Sequence, residues 1–331
     1  MDSNVSKKTN SHNFFKLRFN QKKLGISVKN LLKQELLLIL DLYQQKLNVK
    51  IEPKLLTNLL EVKVEVFPGK SSPTSWRNYC LRTNSSDLAK VQYLPIIYSC
   101  PLGMSLAANL QQSPQTIMEQ LACLLTSKDD PDLERRQLLT EIVSSGWINF
   151  YLDARFIADW LGRSLCWSQN NGINQPQLTA RAIYTLDTTP TKLFPAQYIH
   201  ARCCSLLRLG ARENLITLAD NQAQITQPES IPWLDREHNL WLSEIAEYNL
   251  LQQLMTISDS WVDNSDCRWS KLALNLSQNT AIFLADCRFL GEVKQKYPQK
   301  AIARLGLIVL VQFWLEKILV EKLGVAAPRE L

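Results

Sequence analysis

A histidine and two cysteines near the middle of the chain are the first residues whose chemistry could define a site. His200, Cys203 and Cys204 are residue types that Zn²⁺ favours as ligands. On one helix, however, three residues so close in sequence offer at most two ligands on a common face. No second pair of ligands at zinc spacing occurs elsewhere in the chain. We therefore expect no metal site and no cofactor.

The sequence also lacks the patterns of nucleophilic, acid–base and phosphate-loop chemistry. Asp153 and Asp159 are acids typical of a helix start and of a protein surface, and they form no paired-carboxylate motif. Gly69-Lys70-Ser71 lacks the glycine five residues earlier that a phosphate-binding loop requires. The eight cysteines include no Cys-x-x-Cys pair, so we expect most of them to be reduced and buried. These observations predict no catalytic residue.

Arginine and aromatic side chains at helical spacing are better candidates for a binding surface. Tyr198 and Arg202 are four residues apart and share a helix face, whereas residue 200 points about 200° away from residue 198. Arg208 and Arg212 continue the Arg202 face at roughly helical spacing. Guanidinium groups pair with carboxylates or phosphates. The alternative is structural: Tyr198 is core, Arg202 caps a neighbouring helix end, and the other two arginines are solvated.

Positive charge is concentrated at the start of the chain. The formal net charge is +6 over 331 residues, and residues 1–30 hold seven basic side chains against one acid, so the rest is neutral overall. We interpret residues 1–24 as a basic, flexible arm that includes Lys22 and Lys23. Such an arm favours RNA, because each neutralised phosphate releases condensed counterions. A disordered tail without a partner is the alternative.

The periodicity of residues 25–165 predicts an α+β unit. Alternating and β-branched residues indicate strands at 61–67, 92–99 and 146–152. Apolar periodicity and start signals indicate helices from Ser27 to about Leu47, from Ser113-Pro114 to about Leu125, and from Asp130-Pro131 through Arg136 toward Val143.

Residues 191–331 are predicted to form an all-α bundle, joined to the first unit by a linker at 166–190. The last helix, Ala301 to Leu323, is apolar nearly all round at first, which predicts that it lies inside the bundle. Gly324 suits the position just after its end. No apolar stretch has the length of a membrane span and no signal peptide is recognisable, so we expect a soluble, cytoplasmic protein.

Several segments, in order, resemble parts of arginyl-tRNA synthetase. Leu106–Ile117, preceded by Tyr98, and Gly146–Phe150 resemble that family's N-terminal appended domain. Gln197-Tyr-Ile-His-Ala-Arg202 resembles the helix that opens its DALR anticodon-binding domain. The elements that end this domain have counterparts at Cys287–Leu290, Ala303–Leu305 and Leu323–Pro328.

The family's nucleotide-binding catalytic domain has no counterpart here. It would lie between Gly146 and Gln197, but this interval is only about 45 residues long. Neither a His-Ile-Gly-His-like sequence nor a Lys-Met-Ser-Lys-Ser-like loop is present. Without groups that bind and orient ATP and arginine, an adenylate has no site in which to form. The resemblance therefore implies a protein that is not an enzyme, although homology alone suggests an arginine–tRNA ligase.

The resemblance implies that the helix opening the DALR domain runs beside the anticodon arm of a tRNA. Arg202 would then pair with a phosphate while Tyr198 stacks on an unstacked base. For Arg288 and Arg304, a buried structural ion pair is the alternative. The residues predicted to bind tRNA are Tyr98, Tyr198, Arg202, Arg208, Arg212, Arg288 and Arg304, with Lys22 and Lys23 of the arm.

The function implied is that of a non-catalytic accessory protein for tRNA, with arginine tRNAs as the expected partner. It would present the tRNA to a tRNA-modifying or tRNA-charging enzyme, or shield it. A protein–protein adaptor that has lost RNA binding is the alternative, and the neutral charge of residues 31–331 favours it. A detached part of a split ligase is a third interpretation.

Overall fold

The computed structural model describes residues 13–19, 25–51, 63–66, 96–126, 136–143, 145–172, 190–219, 224–263 and 267–331. The chain forms two compact units. The first contains residues 1–24 and 29–153, and the second contains residues 25–28 and 154–331. Each described helix is too short or too polar to cross a membrane.

The first unit contains a five-stranded antiparallel sheet in the order β1-β4-β5-β3-β2. Its strands are β1 (Asn13–Phe19), β2 (Lys63–Val66), β3 (Ile96–Cys100), β4 (Arg136–Val143) and β5 (Trp147–Leu152). Strand β3 is fully buried and β5 is mostly buried, which is typical of a sheet covered by helices.

Among the described residues, three helices accompany this sheet: α1 (Val28–Leu47), α2 (Leu102–Leu110) and α3 (Pro114–Thr126). The predicted start of α3 is confirmed, since the Thr116 amide donates to Ser113 Oγ at 3.1 Å. Tyr43 Oη of α1 donates to Gln120 Oε1 of α3 at 2.5 Å. The α+β class predicted for this part of the chain is confirmed.

The helix predicted from Asp130 toward Val143 is wrong in its second part, because residues 136–143 form strand β4. Leucine, isoleucine and valine fall at positions 138, 139, 142 and 143, a spacing that fits one helix face as well as a strand. Pairing with β5, in register from Leu139↔Tyr151 to Val143↔Trp147, decides in favour of the strand. Non-local hydrogen bonding thus overrides the local pattern.

The boundaries of the first unit also differ from those predicted. Residues 13–19 of the predicted flexible arm are strand β1, paired with β4 from Asn13↔Ile142 to Phe19↔Arg136. Helix α4 (Ala154–Asn170) runs through the predicted boundary at residue 165 and belongs to the second unit. Trp167 of α4 stacks on Trp314 with ring centres 5.5 Å apart, which anchors the helix in that unit.

The second unit is the predicted helical bundle, with a small hairpin inserted. Its further helices are α5 (Pro190–Arg212), α6 (Ile245–Val262), α7 (Trp269–Asp286), α8 (Glu292–Lys296) and α9 (Pro298–Lys317). The hairpin pairs β6 (Thr217–Leu218) with β7 (Ile225–Gln227).

Helix α9 is the central element of this bundle, as its all-round apolar sequence predicts. Every residue from Ala303 to Lys317 is buried. Gly210 of α5 permits close packing on α9, since a Cβ there would come within 2.8 Å of the Leu305 side chain. After α9 the chain makes a π-helical turn over 318–322 and leaves it at Gly324, whose φ of +66° suits glycine at this position.

Candidate nucleic-acid interface

One face of α5 presents aromatic and basic side chains to solvent. Phe194 and Tyr198 are 53% and 49% exposed, and their ring centres are 6.3 Å apart. Arg202 and Arg212 are exposed farther along the same helix. At about 100° per residue, these four residues fall within about 80° of one another around the helix axis. We call Phe194, Tyr198, Arg202 and Arg212 the α5 surface.

Arg202 and Arg212 have no carboxylate partner within the described residues of the bundle. The same is true of Lys192, Arg236, Arg268, Lys271, Arg288 and Lys322. Seven of the described acids of the bundle are committed to the ion pairs Arg208–Glu330, Lys294–Glu213, Lys296–Glu292, Lys300–Glu244, Arg304–Glu247, Lys317–Glu321 and Arg329–Glu316. Helix α5 therefore retains exposed positive charge without a carboxylate partner among the described residues.

A groove of about 1080 Å³ adjoins the C-terminal end of α5. Arg208 and Arg212, one turn apart, line it together with the β6–β7 hairpin and Ile302 of α9, and no described lining residue is acidic. Arg208 lies about 120° around the helix from Arg202, so it does not extend the Arg202 face as the sequence suggested. Its Nη2 is 3.4 Å from Oε1 of the exposed Glu330. The groove offers one partly neutralised and one unpaired guanidinium group to an anion.

The other two arginines of interest have contrasting positions. Arg304 is 4% exposed, and its Nε donates to Oε1 of the fully buried Glu247 at 2.7 Å. Its Nη1 donates to the carbonyl oxygen of Arg288. Glu247 also accepts the Glu244 amide at 2.8 Å in the capping box of α6. Arg304 therefore forms the buried ion pair that the sequence analysis gave as the alternative to tRNA binding. The Arg288 side chain, by contrast, is exposed.

His200 faces inward and holds the C-terminal segment against α5. Its Nδ1 lies 2.7 Å from the Pro328 carbonyl oxygen, and its Nε2 lies 3.1 Å from Gln312 Nε2. A carbonyl only accepts and an amide nitrogen only donates, so Nδ1 carries the proton and Nε2 accepts. Gln197 Nε2 donates to the Ala326 carbonyl at 2.9 Å on the same side. The two motifs that resemble the ends of a DALR domain therefore bind each other.

Burial governs the titration of the histidine and cysteines on α5. Burial lowers the pKa of His200 to about 4, against an opposing effect of its hydrogen bond to Pro328 and with a further lowering by Arg329. Burial raises the pKa of Cys204 to about 11 and that of Cys203 still higher. The described residues contain no group of histidine, cysteine and acidic side chains arranged to hold a metal ion.

Three of the predicted site residues, Tyr98, Lys22 and Lys23, belong to the first unit. Tyr98 lies in strand β3 and is fully buried, so its ring is not accessible to a base in this conformation. Lys22 and Lys23 lie outside the described residues.

Two features of the site were missed at the level of sequence. Phe194 is four residues before Tyr198, so the same helical spacing could have identified it, but the predicted linker reached residue 190 and α5 was expected to begin later. The groove could not have been found, because Ile302 and the β6–β7 hairpin reach it only through tertiary packing.

Comparison with known proteins agrees with this arrangement. Residues 196–331 match the model of the DALR anticodon binding domain. The chain is similar to the arginine–tRNA ligase of Gloeobacter violaceus, with 30% identity over 122 residues, and to that of a Synechococcus species, with 28% identity over 138 residues. These matches cover 35% and 40% of this chain but only 19% and 21% of the ligases. No solved structure matches the chain significantly.

The matched family segment begins on α5 and includes the whole α5 surface except Phe194. It also includes the groove, the Arg304–Glu247 pair and the C-terminal segment held by His200. Residues 196–331 of this chain are a DALR anticodon binding domain, carried by a protein with partial homology to arginine–tRNA ligases.

Proposed function

We propose that this chain is a non-catalytic accessory protein that binds arginine tRNAs through the α5 surface. The observation that carries the proposal is the pair of unpaired, exposed arginines, Arg202 and Arg212, beside two exposed rings on the first helix of the DALR domain.

The α5 surface has the two kinds of group that bind a single-stranded RNA loop. Exposed rings such as Tyr198 stack on unpaired bases without strong sequence preference. Arginine pairs with phosphates, which fixes the register of the RNA but carries no base information. Because Arg202 and Arg212 lack carboxylate partners in the described bundle, binding a phosphate does not require breaking an ion pair.

The groove beside Arg208 and Arg212 adds a second element to this surface. Its volume of about 1080 Å³ is large enough for a nucleotide, and its described lining carries two guanidinium groups and no carboxylate. A loop that crosses the α5 surface could therefore place a phosphate or a base there.

The proposal of a non-catalytic role rests on the short interval between strand β5, the last strand of the first unit, and the start of the DALR domain on α5. Strand β5 ends at Leu152 and α5 begins at Pro190, with α4 in between. We expect no arginine-dependent pyrophosphate exchange from the purified chain with arginine tRNA present. A clear exchange signal would overturn this part of the proposal.

The choice of arginine tRNAs follows from the two relatives, both of which are arginine–tRNA ligases. The test is to sequence the RNA that copurifies with the chain from its native cell. Enrichment of arginine tRNAs is the expected result, and enrichment of other tRNAs would retain RNA binding while overturning the specificity. An absence of bound RNA would favour the protein adaptor, for which the exposed Phe194 and Tyr198 would also be suitable contact residues.

A further inference from the structure

A second basic and aromatic region lies at another part of the DALR domain. Trp261 at the end of α6 and Trp269 at the start of α7 are half-buried and meet edge to face, with ring centres 5.5 Å apart. Lys322 places its ammonium group 4.5 Å from the centre of the Trp261 ring and 5.0 Å from that of Trp269. Together with the exposed Arg268 and Lys271, these residues form what we call the Trp–Lys patch.

The π-helical turn after α9 is what brings Lys322 to the tryptophans. The Leu323 amide donates to the Ile318 carbonyl at 3.0 Å, five residues back, so this turn is wider than an α-helical one. Such π-helical turns are rare and frequently occur at functional sites. Lys317, one turn earlier, also lies beside Trp261, at 5.3 Å, but it binds Glu321 at 2.6 Å.

The charge of the Trp–Lys patch is not balanced by ion pairs. Within the described residues, Arg268, Lys271 and Lys322 have no carboxylate partner. Two described acids are near these cations in the sequence. Glu321 is bound by Lys317, and Asp263 is the C-cap residue of α6. Lys322 on the two tryptophan rings, with two further unpaired cations next to Trp269 in the sequence, matches the backbone and bases of a single strand better than an apolar protein surface.

A short segment that starts at Lys322 connects the Trp–Lys patch to α5. Ala326 is four positions after Lys322, so their Cα atoms are at most about 14 Å apart. The Ala326 carbonyl accepts a hydrogen bond from Gln197, the neighbour of Tyr198. A single RNA element could therefore contact both regions.

We propose that the Trp–Lys patch is a second RNA-binding site, which takes a single-stranded segment of the same tRNA that binds to the α5 surface. Trp269 stacks on a base, while Arg268, Lys271 and Lys322 contact the adjoining phosphates. The inference rests on the proposed function, because it assumes that the domain binds tRNA.

The test measures binding of labelled arginine tRNA transcript to the full chain over a range of salt concentrations. Trp269→Leu should weaken binding about 5- to 150-fold through loss of stacking. The exposed double variant Arg268→Gln/Lys271→Gln should lower the slope of log K against log salt by about 1.4, at about 0.7 for each phosphate contact with a single strand. The control is Arg236→Gln/Lys296→Gln, which removes two exposed cations elsewhere in the domain, the second of them paired with Glu292, and should change the slope by much less.

Each result separates this inference from the proposed function. If the wild type binds, an α5 variant such as Arg202→Ala fails to bind, and both patch variants bind normally, the patch is not an RNA site and the proposed function stands. If the control lowers the slope as much as the patch variant, the effect is one of net charge and the patch is not a site. If the wild type does not bind tRNA, both proposals fail.

Loss of a stoichiometric protein partner from the patch variants with RNA binding intact would identify a protein interface instead. Because Arg268 and Lys271 are exposed, their variant gives a decisive result even if Trp269→Leu does not fold.

Discussion

Helices α5 and α9 run antiparallel, since His200 contacts Gln312 while Gly210 approaches Leu305. The environments of their arginines are nevertheless opposite. Arg304 of α9 is buried against Glu247, and Arg202 of α5 is exposed without a carboxylate partner in the described bundle. Both stand in segments that resemble a DALR domain. The resemblance alone therefore does not distinguish an arginine that holds the domain together from one that is available to a ligand.

The difference follows from the side chains around each helix. Helix α9 is enclosed, so its one arginine needs an acid to offset the cost of burial. One side of α5 faces solvent, where an arginine stays hydrated and keeps its charge available for a phosphate. The contrast predicts that variants of α9 will change stability and variants of the α5 surface will change binding.

The largest effect is expected from Arg304→Met, which keeps most of the apolar stem but leaves Glu247 buried without its partner. Removing one member of a buried ion pair costs about 3–5 kcal/mol of unfolding free energy. Denaturant unfolding would measure this loss. The folded fraction should bind tRNA as the wild type does.

The control for this prediction is the double variant Arg304→Met/Glu247→Leu. Replacing both charges by apolar groups should recover most of the stability. It should still lack about 1 kcal/mol, because Glu247 also accepts the Glu244 amide in the capping box. If Arg304→Met unfolds like the wild type but fails to bind tRNA, the contrast between α9 and α5 is wrong.

His200 lies on the inner side of α5 and should make stability depend on pH. Its folded-state pKa of about 4 is below the ordinary 6.5, so the neutral form is favoured in the folded state. This contribution is fully present above pH 6.5 and is lost as the pH falls through the folded pKa, a total of about 3 kcal/mol. Unfolding free energies measured from pH 7 to pH 4 should show this fall for the wild type and a smaller fall for His200→Gln.

Groups around His200 also affect the pH dependence of stability in the wild type and in His200→Gln. Gln312 and Pro328 bind the ring, Arg329 lies nearby, and Glu316 is bound by Gln312. Burial raises the pKa of Glu316, which makes its own contribution increase as the pH falls. Both proteins retain Glu316, so the difference between them isolates the histidine. Equal curves for the two proteins would show that His200 is not held neutral.

Arg202→Ala tests the outer side of the same helix. Loss of a charge-assisted phosphate contact should cost about 1.5–3 kcal/mol, or about 10- to 150-fold in affinity, and equally for every tRNA that binds. Tyr198→Ala should cost about 1–3 kcal/mol if the ring stacks on a base. Both residues are exposed, so unfolding free energies should change by only about 0.5 kcal/mol. The matched control is Arg236→Ala, which removes another exposed arginine; normal tRNA binding by folded Arg202→Ala would exclude this helix from the interface.

The sequence predicts those elements of the fold whose signals are local. Ser113-Pro114 identifies the start of α3, and the apolar run of α9 identifies the central helix. The apolar spacing of strand β4 also fits a helix, and only its partners β1 and β5 resolve the ambiguity. The predicted linker divides helix α4, because the polar residues at the end of this helix favour a linker. The contact between Trp167 and Trp314, which anchors the helix, cannot be recognised from the sequence.

The same distinction between local and distant information applies to the candidate site. Helical spacing places Tyr198 and Arg202 on one face without knowledge of the fold. It cannot show that Arg304 meets Glu247 or that Arg208 meets Glu330, because these partners are distant in sequence. The burial of Tyr98 likewise depends on the position of β3 between β5 and β2.

The smallest effect is expected where the α5 surface meets the groove, and it should be an increase in affinity. Glu330 is 82% exposed and holds Arg208 at 3.4 Å, so it competes with any phosphate for that guanidinium group. Glu330→Gln removes the competitor while keeping the side-chain size. Exposed ion pairs are worth at most about 1 kcal/mol, so tRNA affinity should rise up to about fivefold, with the largest gain at low salt. Glu237→Gln is the control, because it removes another exposed acid that is not paired with an arginine of the groove. The gain should disappear when Glu330→Gln is combined with Arg208→Gln, since no guanidinium group is then left to release. An equal gain from Glu237→Gln would mean that net charge, and not the release of Arg208, sets the affinity, and the groove would then be removed from the proposed interface.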